Sequence, residues 1–142
     1  MAMRLHIIAR GKIGRTPEFE IVERYLKRIS WPVKHSELPD RGGEIPSADT
    51  PYKTVMLDEK GDHLGSVELA CLLEKWQDDG VRETRFLIGA ADGFGDAERA
   101  SADKLMAFGK ATWPHLMARA MLAEQLFRAT SIIANHPYHR EG

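Results

Sequence analysis

The sequence contains one cysteine, Cys71, in 142 residues. It therefore cannot close an intramolecular disulfide, which fits a reducing compartment such as the cytoplasm. Positive charge is not in excess: 20 Lys and Arg stand against 21 Asp and Glu, a formal net charge of -1. The bulk basic character of many nucleic-acid binders is missing, so any RNA contact must come from a local patch. No stretch approaches the roughly 18 apolar residues of a membrane span. The start, Met1-Ala2-Met3-Arg4-Leu5-His6, has no long apolar region of the secretory type. Cytoplasmic localisation without a membrane partner is the expectation. Standard phosphate-binding fingerprints are also missing, because no Gly-Lys-Ser/Thr follows the glycines and no Gly-x-Gly-x-x-Gly order occurs. Neither an internal repeat nor a second domain is evident, so residues 1–142 are expected to form a single domain.

What is present is alternation of strand and helix. Leu5 to Ala9 is a short apolar run, read as a buried strand ending at Gly11. Thr16-Pro17-Glu18 is a helix start, with Thr16 as cap and Phe19, Val22, Leu26 and Ile29 at helical spacing. Pro32 stops that helix, and Val33 to Leu38 is a more polar strand. Residues 39–52, rich in Pro, Gly, Asp and Ser, read as a loop. Thr54 to Asp58 is a buried strand. Ser66 is expected to cap a helix with Leu69, Leu72, Leu73 and Trp76 on one face, and Cys71 is expected in the core. Thr84 to Ile88 is the next strand, Ala97 to Ala102 a short helix, and Leu105 to Phe108 the last strand. The longest helix runs from His115 to about Ala134. Its apolar surface is broader than one sheet face covers, which suggests packing on both a sheet and a partner subunit. Glu124 and Arg128 on it stand four apart, in the favourable order for an ion pair. The sum is an α/β fold with a mostly parallel sheet.

Ligands of such sheets bind beyond the carboxyl ends of the strands. Two ends are unusual here: Leu57-Asp58, and Ile88-Gly89-Ala90-Ala91-Asp92-Gly93 with Phe94-Gly95 following. Glycines after a strand let a ligand approach the backbone. Phe108-Gly109-Lys110-Ala111-Thr112-Trp113-Pro114-His115 joins the last strand to the long helix. Its backbone groups suit the edge of a purine, with Phe108 or Trp113 as apolar walls. The C-terminal run Asn135-His136-Pro137-Tyr138-His139-Arg140-Glu141 concentrates aromatic and cationic groups where chain ends are usually plain. Such groups suit stacking on bases and pairing with phosphates. His136 and His139 are three apart, but no third ligand accompanies them, so no metal is expected. His6 reads as a core residue, while His35 and His63 read as solvated.

Together these residues carry a resemblance. The opening strand, Val55-Met56-Leu57-Asp58, Phe86-Leu87-Ile88-Gly89, Thr112-Trp113-Pro114-His115, Ala123 to Ala129 and the closing Asn-His-Pro-Tyr-His-Arg-Glu make the chain similar, nearly end to end, to the RlmH family of the SPOUT superfamily. That resemblance implies a trefoil knot near the C-terminus of the α/β fold, and a homodimer. It implies methyl transfer from S-adenosyl-L-methionine to N3 of a pseudouridine in a stem-loop (helix 69) of 23S rRNA on the assembled ribosome. The implied cofactor residues are Leu57, Gly89 and the loop Phe108, Gly109, Lys110, Ala111, Thr112 and Trp113. Ala90 stands where relatives usually have a second glycine, and residues 39–52 are shorter than in many relatives.

The implied catalytic residues are those of the tail. N3 of a uracil ring is a weak acid, so a base or a nearby cation would help remove its proton. By side-chain type, His136 and His139 are both candidates for the base. Tyr138 and Arg140 are candidates for positioning the substrate, and Arg128 for orienting phosphate or base. Catalysis by positioning alone stays open. The alternative function is a non-catalytic ribosome- or RNA-binding dimer that keeps the fold.

Overall fold

Every residue of the strand Glu83–Ile88 is buried, which places it inside the sheet with both faces covered. The computed structural model describes residues 2–90 and 93–140. Along the chain run β1 (Arg4–Arg10), α1 (Pro17–Arg28), β2 (Val33–Leu38), β3 (Tyr52–Asp62), α2 (Ser66–Asp78), β4 (Glu83–Ile88), α3 (Asp96–Ser101), β5 (Lys104–Met106) and α4 (His115–Ile133). The sheet order is β2-β1-β4-β3-β5, and every pairing is parallel.

Alternation decides the two faces. Leu5, Ile7, Val55 and Phe86 point into the larger core, where Leu69, Leu73 and Trp76 of α2 and Leu122 and Leu126 of α4 meet them. Ile8, Met56 and Leu87 point the other way, onto Phe94. Helix α4 packs against both α1 and α2. Its broad apolar stripe is thus largely covered within one chain, and the width by itself does not call for a partner subunit. The hydroxyl of Ser66 donates to Gln125 Oε1 at 2.7 Å and ties α2 to α4.

Helix ends follow local chemistry. Thr16 caps α1, its Oγ1 accepting the Phe19 N–H at 3.2 Å, with Pro17 first in the helix. In α2 the cap is Gly65, not Ser66. There the Glu68 carboxylate reaches back to the Gly65 N–H at 3.0 Å, which replaces a hydroxyl cap. Helix α4 closes with Asn135 at φ 57, while the Asn135 and His136 N–H groups donate to Ile132 and Ser131 carbonyls. This is a Schellman ending, so the helix stops before Pro137 acts.

Some expectations change. Cys71 is exposed, on the outer face of α2. His35 is half-buried instead of solvated, because the Arg119 side chain of α4 reaches it. His6 is buried at 2% exposure and His63 is exposed, as expected. β5 covers Lys104–Met106 rather than 105–108, and β3 runs on to Asp62. Both Leu57 and Asp62 register on Met106, so residues 57–62 bend around β5. The Asp62 carbonyl accepts the Ala107 N–H at 2.9 Å. Gly61 sits at the tightest point, where a Cβ would lie 2.6 Å from the Leu105 carbonyl carbon and against the Met106 backbone.

Candidate active site

Leu57, where β3 ends its pairing with β4, lies in register with Ile88 and Met106 at the carboxyl ends of β4 and β5. They form the apolar base of a cleft. One wall is Gly89, which has Phe94 close behind it: a Cβ at Gly89 would stand 3.1 Å from the phenyl ring. Ala91 and Asp92, part of the glycine-rich run singled out above, lie outside the described residues. The other wall is the 108–113 loop. The Trp113 Nε1–H donates to the Phe108 carbonyl at 2.7 Å, closing the loop on itself. Gly109 allows this turn with φ +81. Among the described residues, the backbone N–H groups of 108–113 donate to no other backbone group. They are therefore available to a ligand. Leu57, Gly89, Phe108, Gly109, Ala111, Thr112 and Trp113 all line the cleft, whereas Lys110 is exposed and does not.

Several lining residues are not among the expected cofactor positions. Asp58 and Glu59 follow directly on Leu57 and bring carboxylates to the cleft. Burial alone would push Asp58 up. The Arg99 guanidinium at 2.8 Å and the Lys60 N–H at 2.9 Å more than offset this and hold its carboxyl below the ordinary range. Arg99 also pairs with Asp96, so α3 is strapped to the end of β3. The Thr112 hydroxyl donates to Glu59 at 3.3 Å. His115 and Ala118 of α4 complete the lining. Asp58 had a signal, its place at a strand end; Arg99 had none, since its partner is 41 residues away.

Among the described residues, the tail does not reach this cleft within the chain. It folds back on α4, next to a hollow of ≈ 480 Å³ lined by Arg28, Phe127, Thr130 and His136 among others. The Tyr138 hydroxyl donates to Glu124 Oε2 at 2.9 Å, and its ring packs on Phe127 with centroids 4.6 Å apart. Burial, then the neighbouring Tyr25 hydroxyl and Glu124, push the Tyr138 phenol well above its ordinary range. Arg128 pairs with Glu124 at 2.6 Å, as the spacing predicts, and lies 4.7 Å from the Tyr138 ring centre. It also meets His139 Nδ1 at 3.1 Å. His136 and Arg140 are exposed, and Glu141 lies outside the described residues.

The largest feature missed in sequence is Arg119, fully buried at 0% exposure. Its guanidinium donates to Glu37 at 2.6 Å and to the Arg10 and Gly11 carbonyls at 3.3 and 3.2 Å. His35 Nε2 lies 3.4 Å away. Burial, then the Arg119 charge, push the His35 pKa down, so its ring stays neutral and accepts. Glu37 also accepts the Ile13 N–H at 2.8 Å. On an apolar helix face an arginine looks like an outward break in the stripe; only the tertiary fold supplies its acceptors. Arg119→Met is expected to destabilise the protein by roughly 3 kcal/mol, because Glu37 and two carbonyls lose their donor. Chemical denaturation checks this, and a loss under 1 kcal/mol would contradict the clamp.

An all-parallel sheet with a glycine-edged cleft at its strand ends and a loop of unused backbone N–H groups over it defines an α/β protein built to bind a small ligand there. Residues 3–139 match the family model described as predicted SPOUT methyltransferase, and the chain belongs to that family. Within it the chain falls with the RlmH methyltransferases. It is 68% identical over 140 residues to ribosomal RNA large subunit methyltransferase H of Sphingopyxis alaskensis, covering 99% of both chains. The protein of the same name from Erythrobacter litoralis is 67% identical, over 99% of this chain and 100% of the relative. That from Zymomonas mobilis is 59% identical over the same shares. Among solved structures, a probable methylase family protein from Haemophilus influenzae shares the fold. Its TM-score is 0.63 at 11% identity, covering 98% of this chain and 70% of that one.

Proposed function

We propose that this protein transfers a methyl group from S-adenosyl-L-methionine to N3 of a pseudouridine in helix 69 of 23S rRNA, on the assembled ribosome. The observation that carries this reading is the cleft. Seven of the eight expected cofactor positions, all but Lys110, converge on it from three separate segments of the chain. The donor set fits the cofactor: apolar walls for adenine, unused backbone N–H groups in the 108–113 loop, and an ionised Asp58 near a group that is cationic. When bound, the cofactor supplies an electrophilic methyl on a sulfonium.

The chain's own work is to place the base and deal with its proton. In the docked tail, His139 Nδ1 faces Arg128, a donor-only partner, and His136 Nδ1 faces the Tyr138 N–H at 3.2 Å. Both Nδ1 lone pairs are therefore spent, and neutral rings carry their proton on Nε2. His139 acts as proton acceptor through Nδ1 only after the tail leaves α4, whereas the bond on His136 Nδ1 lies within the tail itself. Tyr138, held protonated, serves as a donor that positions the substrate, and exposed Arg140 pairs with phosphate.

The reading includes a homodimer in which the tail serves the partner's cleft. From Ala118, at the cleft, to Arg128, under the tail, α4 rises about 15 Å. Exposed Ile21, Met117 and Trp113, at 37%, 42% and 41%, offer apolar contact near the starts of α1 and α4. The bend of residues 57–62 around β5 supports the trefoil knot. One sheet joining all five strands supports one domain over residues 1–142. Among the described residues no helix is long and apolar enough to cross a membrane, and the reading places the protein in the cytoplasm.

The test is methyl transfer from labelled S-adenosyl-L-methionine to ribosomes lacking the modification, followed by mapping of the label. Label on one helix 69 pseudouridine is expected. Stoichiometric cofactor binding with no transfer would favour the non-catalytic alternative.

A further inference from the structure

A chain with net charge -1 needs a local device to hold RNA. Residues 10–16, the β1–α1 connection, carry Arg10, Lys12 and Arg15 and no carboxylate. Lys12 and Arg15 are exposed, and among the described residues neither enters an ion pair. Exposed cations are often only a solvated surface. Here the backbone beneath them is unusually well held.

Four contacts fix that loop. The buried Arg119 holds the Arg10 and Gly11 carbonyls, and Glu37 holds the Ile13 N–H. The Thr16 hydroxyl donates to the Ile13 carbonyl at 2.9 Å. The Ile13 side chain, 4% exposed, plugs into Val22, Ala120 and Ala123 between α1 and α4. With Ile13 anchored inward, its neighbours Lys12, Gly14 and Arg15 face solvent. Arg10 reaches the other way: its guanidinium donates to the Pro39 and Gly42 carbonyls at 3.0 and 2.6 Å. That bond gathers the turn bearing exposed Arg41 beside the loop. Two acids are near. Glu37 is engaged with Arg119, and Asp40 lies against Gly11.

The position is as telling as the charge. β1 pairs with β4, with Ala9 opposite Ile88, so the loop leaves the sheet one strand, about 4.8 Å, from the Gly89 wall. Arg119, which clamps the loop, directly follows Ala118 of the cleft lining. We propose that the Arg10–Arg15 loop, with Arg41 beside it, is a phosphate-backbone contact that holds the ribosomal RNA next to the cofactor cleft. This rests on the function proposed above. A pre-shaped cationic loop loses little freedom on binding, and it gives sequence-independent affinity that salt screens.

The test uses the full-length protein with both Lys12→Ala and Arg15→Ala. Against ribosomes lacking the modification, KM is expected to rise roughly tenfold with kcat and cofactor affinity unchanged. The slope of log affinity against log salt is expected to fall by about 2, one for each lost phosphate contact. Lys12→Arg with Arg15→Lys should keep the wild-type KM, which a merely structural role would not require. Co-sedimentation with ribosomes reads the contact without catalysis. If wild-type protein binds but transfers no methyl group, the catalytic reading falls, and loss of binding in the alanine pair still supports the contact. Unchanged co-sedimentation of the alanine pair overturns it. So does a photo-cross-link from position 12 to a ribosomal protein instead of rRNA.

Discussion

Deleting residues 136–142 is expected to lower methyl transfer by about 10³-fold or more while cofactor affinity stays within a few-fold. The large loss follows from removing both histidines, Tyr138 and Arg140 together, and with them proton transfer and substrate placement. Cofactor affinity survives because, among the described residues, no tail residue lines the cleft in the same chain. The fold survives because residues 136–140 are half-buried or exposed and pack on the outside of α4. Its structural losses are the capping bond from the His136 N–H to Ser131, the Tyr138 contacts with Glu124 and Phe127, and the His139 contact with Arg128, all on the outer side of α4. Single-turnover transfer and calorimetric cofactor titration on the truncated chain check this. Full transfer activity would remove the tail from the chemistry. Lost cofactor binding would instead place it in the cofactor site, with the partner's cleft as the place to look.

Gly61→Val is expected to destabilise the protein by roughly 4 kcal/mol, lowering the melting temperature on the order of 15 °C. The cause is not backbone strain, since Gly61 is not among the residues at positive φ. It is a collision with backbone: Leu105 and Met106 occupy the place of any Cβ, and strand atoms cannot swing aside as a side-chain tip does. Relief would require parting β5 from β3, which also disturbs Met106 and Ala107 in the cleft lining. Gly95→Ala is the control, because its Cβ would meet only the Glu68-like capping carboxylate of Glu98 at 3.7 Å. That change is expected to stay within about 0.5 kcal/mol. Thermal unfolding of both variants decides the matter. A Gly61 variant as stable as the control would show that the strand crossing is loose.

Much of this was legible from local pattern. Alternating and 3.6-residue periodicities report which face of an element is buried, and they place β1, β4, α1 and α4 to within a few residues. The Thr16-Pro17 start holds because capping needs only atoms three residues apart. The Ser66 expectation missed because a carboxylate at Glu68 does the capping one residue earlier. β5 was misplaced because a three-residue strand has no period to read. Cys71 misled because a helix with apolar residues on consecutive positions gives no clear inward side, and the packing chose Leu69, Ala70 and Leu73 instead.

The sequence by itself determined the fold class, the strand ends where a ligand belongs, the family, and the unusual chemistry of the tail. Each rests on residue types within one element or one motif. Only the tertiary structure decided which of those pieces meet. It brought Leu57, Gly89 and the 108–113 loop to one cleft, while leaving Lys110 and the described residues of the tail outside it. It also buried Arg119 against partners 82 and 109 residues away. The physical reason is that a charge or a polar backbone atom is stable in the interior only when its complement arrives there too. That complement comes from another strand, and no local pattern encodes it.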